Sequence, residues 1–236
     1  GVGKDLYAAV QSCVGHWPGG LGVATVMSCS LFSSISGSSV ATAATVGTVA
    51  VPEMTARGYK KPFVLGMLAA GGTLGILIPP SIPLIIYGVV IETSIPTLFL
   101  AGIGPGLFLT SVFIVYGMLH AKLSGSYEPV PRTPWAERGR KILLALPTLL
   151  LAIAIIGSIY AGIATPSESA GLGFVMSLII GFGMGRLNWQ RVKDATYVAM
   201  STTVMIFLIV AGAKVFSYAI TLYMIPQTIS AFLTDN

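Results

Sequence analysis

The chain has 236 residues, 54% of them hydrophobic and only 9% charged, with a mean hydropathy of +0.86. A soluble domain carries about 25% charged residues, so a water-soluble globule is excluded and the fold class is all-α, a polytopic membrane protein. The basic residues behind the net charge of +5 fall between apolar runs, a pattern of cytoplasmic loops and not of a nucleic-acid surface.

Residues 1–18 open on Lys4 and Asp5 and end at His16-Trp17-Pro18, a helix end at a membrane interface with His16 as an interfacial side chain. No signal-peptide pattern or initial Met opens the chain, and a start inside a longer protein is expected. Cys13 and Cys29 lie in apolar surroundings and read as small packing residues, not a disulfide.

From Leu6 to Pro52 there is no Asp, Glu, Lys or Arg, yet the middle reads Ser33-Ser34-Ile35-Ser36-Gly37-Ser38-Ser39. Backbone that stops being helical at membrane depth must be buried in protein or line a wet cavity. The expectation is a helix from about Leu21 to Phe32, a non-helical tip, and a second helix from about Ser39 to Val51. Each arm of about a dozen residues rises roughly 18 Å, short of the ~30 Å hydrocarbon core, so the pair is predicted to be a re-entrant hairpin. Glu53, Arg57, Lys60 and Lys61 then form a basic loop.

Phe63 to Ile91 is again charge-free, but Gly71, Gly72, Thr73, Gly75, Pro79, Pro80, Ser81 and Pro83 interrupt it. Proline removes backbone donors and glycine permits unusual dihedrals, which predicts a discontinuous helix unwound between Gly71 and Ser81. Glu92 to Ser94 is a polar break, and Ile95–Ala121 a further span. Residues 122–141 form a cytoplasmic connector, followed by a span over Ile142–Tyr160. Thr165-Pro166-Ser167-Glu168 matches a capping box that starts a helix reaching Gly185. Arg186, Arg191, Lys193 and Asp194 make a third basic loop, and Ala195–Ile225 is the last apolar run, with Lys214 inside it. The basic segments 53–62, 122–141 and 186–194 all fall on the cytoplasmic side if the Pro-broken segment crosses once and the Ser-rich hairpin does not cross.

Two broken elements near one another in sequence can supply oxygen ligands, Ser and Thr hydroxyls and carbonyls freed by unwinding, to a hard cation such as sodium. Candidate cation ligands are Ser36, Gly37, Ser38, Ser39, Thr73, Gly75, Ile78 and Pro79; Ser34 and Ser81 are candidates for the substrate, since half-helix N-termini can face an anionic group. The competing reading is that these serines and glycines only allow tight packing. Glu92 is either a gate or docking point or a solvated loop end, Glu168 a helix cap, and Lys214 either functional or a snorkelling or subunit-contact residue. Nothing suggests an enzyme or a cofactor: the two histidines are far apart, no Cys/His spacing suits zinc, and Gly102–Gly106 follows no strand.

Several stretches resemble the large membrane subunit of TRAP transporters, the tripartite ATP-independent periplasmic transporters. They are Leu31 to Gly47, Pro52-Glu53-Met54 with Arg57-Gly58-Tyr59, Gly71 to Pro83 and Phe99 to Gly106. Thr165-Pro166-Ser167-Glu168-Ser169-Ala170 is similar to the family's Thr-Pro-Thr-Glu-Ala motif, with Ser at two positions. The resemblance implies a permease of the bacterial inner membrane that uses a sodium gradient. It would take up an organic acid delivered by a periplasmic binding protein and work with a small membrane subunit. C4-dicarboxylates, keto acids and sialic acid are all open as substrates. It also implies an elevator of two inverted repeats, each with a re-entrant hairpin and a broken helix. On that pattern residues 1–62 hold the first hairpin, 63–121 the broken helix and next span, 122–141 the connector, and 142–236 the start of the second repeat. The second hairpin and second Pro-broken helix have no counterpart, so a central fragment or truncated product is expected, unable to transport alone. A passive channel with the Ser-rich tip as filter and a non-transporting scaffold subunit are the alternatives.

Overall fold

The structure, a computed structural model, describes residues 2–125 and 130–224. Among these the regular elements are all α-helices: α1 Val2–Val14, α2 Gly20–Ser36, α3 Ser39–Ala56, α4 Lys61–Leu77, α5 Ile82–Val90, α6 Ile95–Ser124, α7 Trp135–Tyr160, α8 Pro166–Gly183 and α9 Trp189–Leu222. Among the described residues, four stretches are long and apolar enough to cross a bilayer: Lys61–Val90, Ile95–Ser124, Trp135–Tyr160 and Trp189–Leu222. The protein is therefore an all-helical, multi-pass membrane protein.

α2 and α3 form a helical hairpin, with longer arms and a shorter tip than predicted. α2 and α3 have 17 and 18 residues, about 26 Å each, close to the ~30 Å core. Ser33 to Ser36 are helical because a serine hydroxyl can bond back to its own turn without unwinding it; Ser34 Oγ donates to the Leu31 carbonyl at 2.7 Å. The helix stops where the chain can turn left-handed. Gly37 has φ 60° and ψ 13°, and its N–H donates to Ser33 O, the cap geometry that glycine adopts at little cost. Ser38 is extended and caps α3, its hydroxyl accepting from Ala41 N.

The broken helix needs the same kind of correction. α4 runs unbroken through Gly71, Gly72, Thr73 and Gly75, and the interruption is confined to Ile78–Ser81. Pro79 and Pro80 offer no N–H to the carbonyls of Gly75 and Ile76, which ends α4. The glycines serve packing instead: a Cβ on Gly71 would lie 2.9 Å from Cys29 Sγ, and one on Gly72 3.0 Å from Ala43 Cβ.

Elsewhere helices begin earlier than the charge pattern suggests. α7 starts at Trp135, so Arg138, Arg140 and Lys141 of the expected connector are helical, with Lys141 paired to Glu137 at 2.9 Å one turn away. α9 starts at Trp189 because the Asn188 side chain accepts from Arg191 N at 2.8 Å. The capping box of α8 forms: Thr165 N donates to Glu168 Oε2 at 2.8 Å and Glu168 N to Thr165 Oγ1 at 3.3 Å. Thr165→Ala is expected to cost about 1 kcal/mol, read as a lower thermal unfolding midpoint in detergent. Residues 126–129 of the connector and Ile225 of the last run lie outside the described residues.

The chain packs as two units, residues up to Ile180 and residues from Gly181. In the first, α2 is the central helix, apolar on all sides and packed on α1, α3, α4 and α6. Val23, Ala24 and Cys29 face Tyr7, Val10, Val46 and Ala50; Leu21 and Val26 pack with Met54, Phe63, Met67 and Leu74. Cys13 and Cys29 are both free thiols, Cys29 within this core. At the hairpin base, Gly19 lies against Gly117 and Ala121 of α6, and Phe63 stacks on His120 with centroids 4.4 Å apart. The base therefore shares an end of the unit with Lys60, Lys61 and Lys122. In the second unit, none of the described side chains of α9 is buried.

Candidate functional site

The tip of the hairpin is seated on the break between α4 and α5. Gly37 O accepts from Ile82 N at 3.2 Å, so each interruption uses the other to satisfy a free backbone group. There is no room for side chains at the two closest points. A Cβ on Gly37 would lie 2.6 Å from Pro80 O, and one on Gly75 2.8 Å from Ser39 N and 2.9 Å from Ser38 C.

Around this junction the hydroxyls form a small net. Ser36 Oγ lies 3.0 Å from Thr42 Oγ1 and 3.4 Å from Ser38 N, which donates to it. Ser81 is fully buried and donates to Ile76 O at 2.6 Å, occupying one of the carbonyls that the prolines leave open. Ser39 Oγ and Ser33 Oγ are buried with no hydrogen-bond partner. A buried, unpaired hydroxyl is costly, so each marks a place where a further group would be stabilising.

The predicted residues divide cleanly. Ser36, Gly37, Ser38, Ser39, Gly75 and Ser81 meet at the tip and break. Pro79 is buried inside the break, and Ile78 turns its side chain towards Gly106 of α6. Thr73 does not join them: it is exposed inside α4, its hydroxyl donating to Ala70 O at 2.7 Å. Gly75 is likewise helical rather than unwound, and its missing side chain lets the backbone of Ser38 and Ser39 approach. The Ser34 and Ser81 protons both go to backbone carbonyls, so meeting an anion requires either hydroxyl to turn.

Two features were missed from sequence. Thr42 is fully buried and reaches Ser36 across the tip; its signal was a position one helical turn after the Ser38 cap. The other is an apolar cleft of about 380 Å³ beside the tip, lined by Ile35, Pro80, Phe99, Ile155, Ile159 and Phe174 among others. It forms because α7 and α8 approach the break, a long-range contact with no local signal.

Chemically, the junction offers hydroxyl and carbonyl oxygens. That donor set fits a hard monovalent cation better than a transition metal, which favours nitrogen and sulfur. No cluster of His, Cys, Asp or Glu suited to a metal occurs among the described residues.

The family model described as "Tripartite ATP-independent periplasmic transporter, DctM component" matches residues 1–236. Among similar proteins, the C4-dicarboxylate TRAP transporter large permease protein DctM of Pseudomonas aeruginosa is 38% identical over 240 residues, covering 100% of this chain and 55% of that protein. The ectoine TRAP transporter large permease protein TeaC of Halomonas elongata is 39% identical over 227 residues, 95% of this chain and 52% of its own length. The sialic acid TRAP transporter large permease protein SiaM of Vibrio cholerae is 33% identical over 240 residues, 100% of this chain and 56% of its own length. The chain thus spans about half the length of the relatives it matches.

Proposed function

The chain belongs to the DctM component family of the tripartite ATP-independent periplasmic transporters, and we propose that it carries the first ion-coupling site of a sodium-driven symporter for an organic acid. Its relatives are permeases rather than enzymes, and it is a multi-pass protein of the bacterial inner membrane. The observation that carries the proposal is the seating of the hairpin tip on the Pro-broken helix, with the unpartnered Ser39 hydroxyl on the residue whose backbone meets Gly75 there.

In this reading sodium is held by oxygens of Ser36, Gly37, Ser38, Ser39 and Gly75, with Thr42 steadying Ser36 through its hydroxyl. The backbone of Ile78 and Pro79 closes the site from the break. Thr73 has no part in it. An ion shared by tip and break makes the junction more stable when loaded, and this links ion binding to the position of the hairpin. The N-termini of α3 and α5 lie together here and favour a carboxylate through their peptide dipoles; Ser34 and Ser81 supply hydroxyls to it once they turn outward. A periplasmic binding protein delivers the acid and a small membrane subunit completes the assembly. The named relatives take a C4-dicarboxylate, ectoine and sialic acid, so the acid is left at the level of its class.

The test is uptake by the complete permease with its partner subunits in vesicles. Ser36→Ala with Ser38→Ala is expected to raise the half-saturating sodium concentration by about tenfold (~1.4 kcal/mol) while assembly is preserved. Unchanged sodium affinity would sink the ion site. Uptake that neither saturates nor needs a binding protein would instead favour a passive pore.

A further inference from the structure

The ion site makes no use of the segment from Pro52 to Tyr59. Glu53 lies not in a loop, as its charge suggests, but near the C-terminal end of α3. Its Oε1 accepts from Gln11 Nε2 of α1 at 3.0 Å and from Arg57 Nε at 3.5 Å. The next residue, Met54, is fully buried, with its Sδ 3.4 Å from Thr25 Oγ1 of α2. The Met54 carbonyl accepts from Arg57 N and Tyr59 N, both at 3.2 Å. Pro52 cannot donate to the Thr48 carbonyl, so this end of α3 has one backbone bond fewer and depends more on its side-chain ties.

The face of α3 that bears Glu53 runs the length of the helix. Ser39, Thr42, Val46, Ala50 and Glu53 recur at steps of three and four residues and so line one stripe. Thr42, Val46 and Ala50 are fully buried, and Val46 and Ala50 share a core cluster with Tyr7 and Val10 of α1. Fourteen residues before Glu53, about 21 Å along the axis, the stripe ends at Ser39 beside the tip. Apolar packing is non-directional; it holds α3 against its neighbours but does little to set its rotation. A hydrogen bond to a carboxylate is directional and stronger than one between neutral groups. The Glu53–Arg57 pair stays at α3's own end, with side chains 38% and 30% exposed, and an exposed pair contributes little. The bond that crosses to Gln11 of α1 is the one that can fix the helix.

We propose that Glu53 is a positioning residue for the hairpin tip: bonded to Gln11, it sets the rotation of α3 at which Gly37 and Ser39 meet the break between α4 and α5. The single helix from Ser39 to Ala56 carries that setting to the tip. The consequence for sodium rests on the ion-site reading above; the seating of the tip does not.

The first measurement is amide hydrogen exchange in the complete permease, in sodium-free choline buffer. Between Pro79 and Pro83 the only amides are Ser81 and Ile82, and Ile82 N donates to Gly37 O, so this stretch reports the seat directly. Glu53→Ala and Gln11→Ala are each expected to speed its exchange several-fold, and the double variant no further than Glu53→Ala alone. Glu53→Gln keeps an oxygen for Gln11 and is expected to stay near the wild-type rate. Exchange along α8 should be the same in all of them. An unchanged rate at 81–82 in Glu53→Ala would overturn the proposal. So would equal loosening of α8, which is general destabilisation, or a Glu53→Gln that behaves like Glu53→Ala. The second measurement is sodium-dependent uptake, where Glu53→Ala is expected to raise the half-saturating sodium concentration several-fold. Faster exchange at 81–82 with that concentration unmoved would leave Glu53 as the residue that seats the tip and would overturn the ion-site reading instead.

Discussion

Gly75→Ala in the complete permease is expected to raise the half-saturating sodium concentration for uptake by about tenfold or more. The added methyl would sit 2.8 Å from Ser39 N, 2.9 Å from Ser38 C and 3.0 Å from Ser38 O. These are backbone atoms, which cannot swing aside as a side-chain end can. Overpacking of this kind typically costs about 1–3 kcal/mol, and here the cheapest relief is for the tip to lift off the break. Lifting it breaks the Gly37–Ile82 contact and parts the oxygens proposed to share the ion. A cost of ~1.4 kcal/mol is already tenfold in affinity. Gly66 is the matched control. It lies in the same helix, and a Cβ there would meet nothing within 4 Å, so Gly66→Ala should stabilise α4 by about 0.5–1 kcal/mol and leave sodium dependence alone. If the two alanines behave alike in a sodium titration, tight seating of the tip is irrelevant to coupling.

That contrast also shows how much the sequence can say. A long charge-free run with serines and glycine in its middle, followed by one with glycines and paired prolines, is enough to place a hairpin and a broken helix and to bring them into one hypothesis. Their extents are a different matter. Serine can break a helix, but Ser34 satisfies its hydroxyl on Leu31 O and stays helical. Glycines such as Gly71, Gly72 and Gly75 permit unwinding, but here helix–helix contact uses the space they leave. Composition records that a residue tolerates either role; only the neighbour decides between them. The same holds for charge. Arg138, Arg140 and Lys141 looked like loop because they are charged, yet Glu137 and Lys141 pair across one exposed helical turn, which solvent at a membrane surface permits. Thr42 was hidden for a geometric reason. Its distance from Ser36 depends on the tip being Gly37 and Ser38 alone, and a tip two or three residues longer would turn it elsewhere.

Ser39→Ala separates an ion ligand from a packing residue by the sign of its effect on stability. Ser39 Oγ is buried at the α3 N-terminus with no hydrogen-bond partner. If the serine only fills space, removing the hydroxyl removes an unsatisfied polar atom, and the protein should gain about 1–3 kcal/mol with sodium dependence unchanged. If the hydroxyl ligates sodium, the gain appears only in sodium-free buffer. Added sodium then stabilises the wild type by mass action but stabilises Ser39→Ala much less, and the half-saturating concentration for uptake rises by about tenfold or more. Ser28 supplies the comparison. Its hydroxyl is equally buried and equally unpartnered, but it lies on α2 more than two turns before the Gly37 cap, roughly 13 Å along the axis. Ser28→Ala should therefore show the packing result in both buffers. The decisive measurement is thermal unfolding of the three proteins across a sodium titration, with choline keeping ionic strength constant. A sodium-dependent shift that is as large in Ser39→Ala as in the wild type would remove this hydroxyl from the ion site.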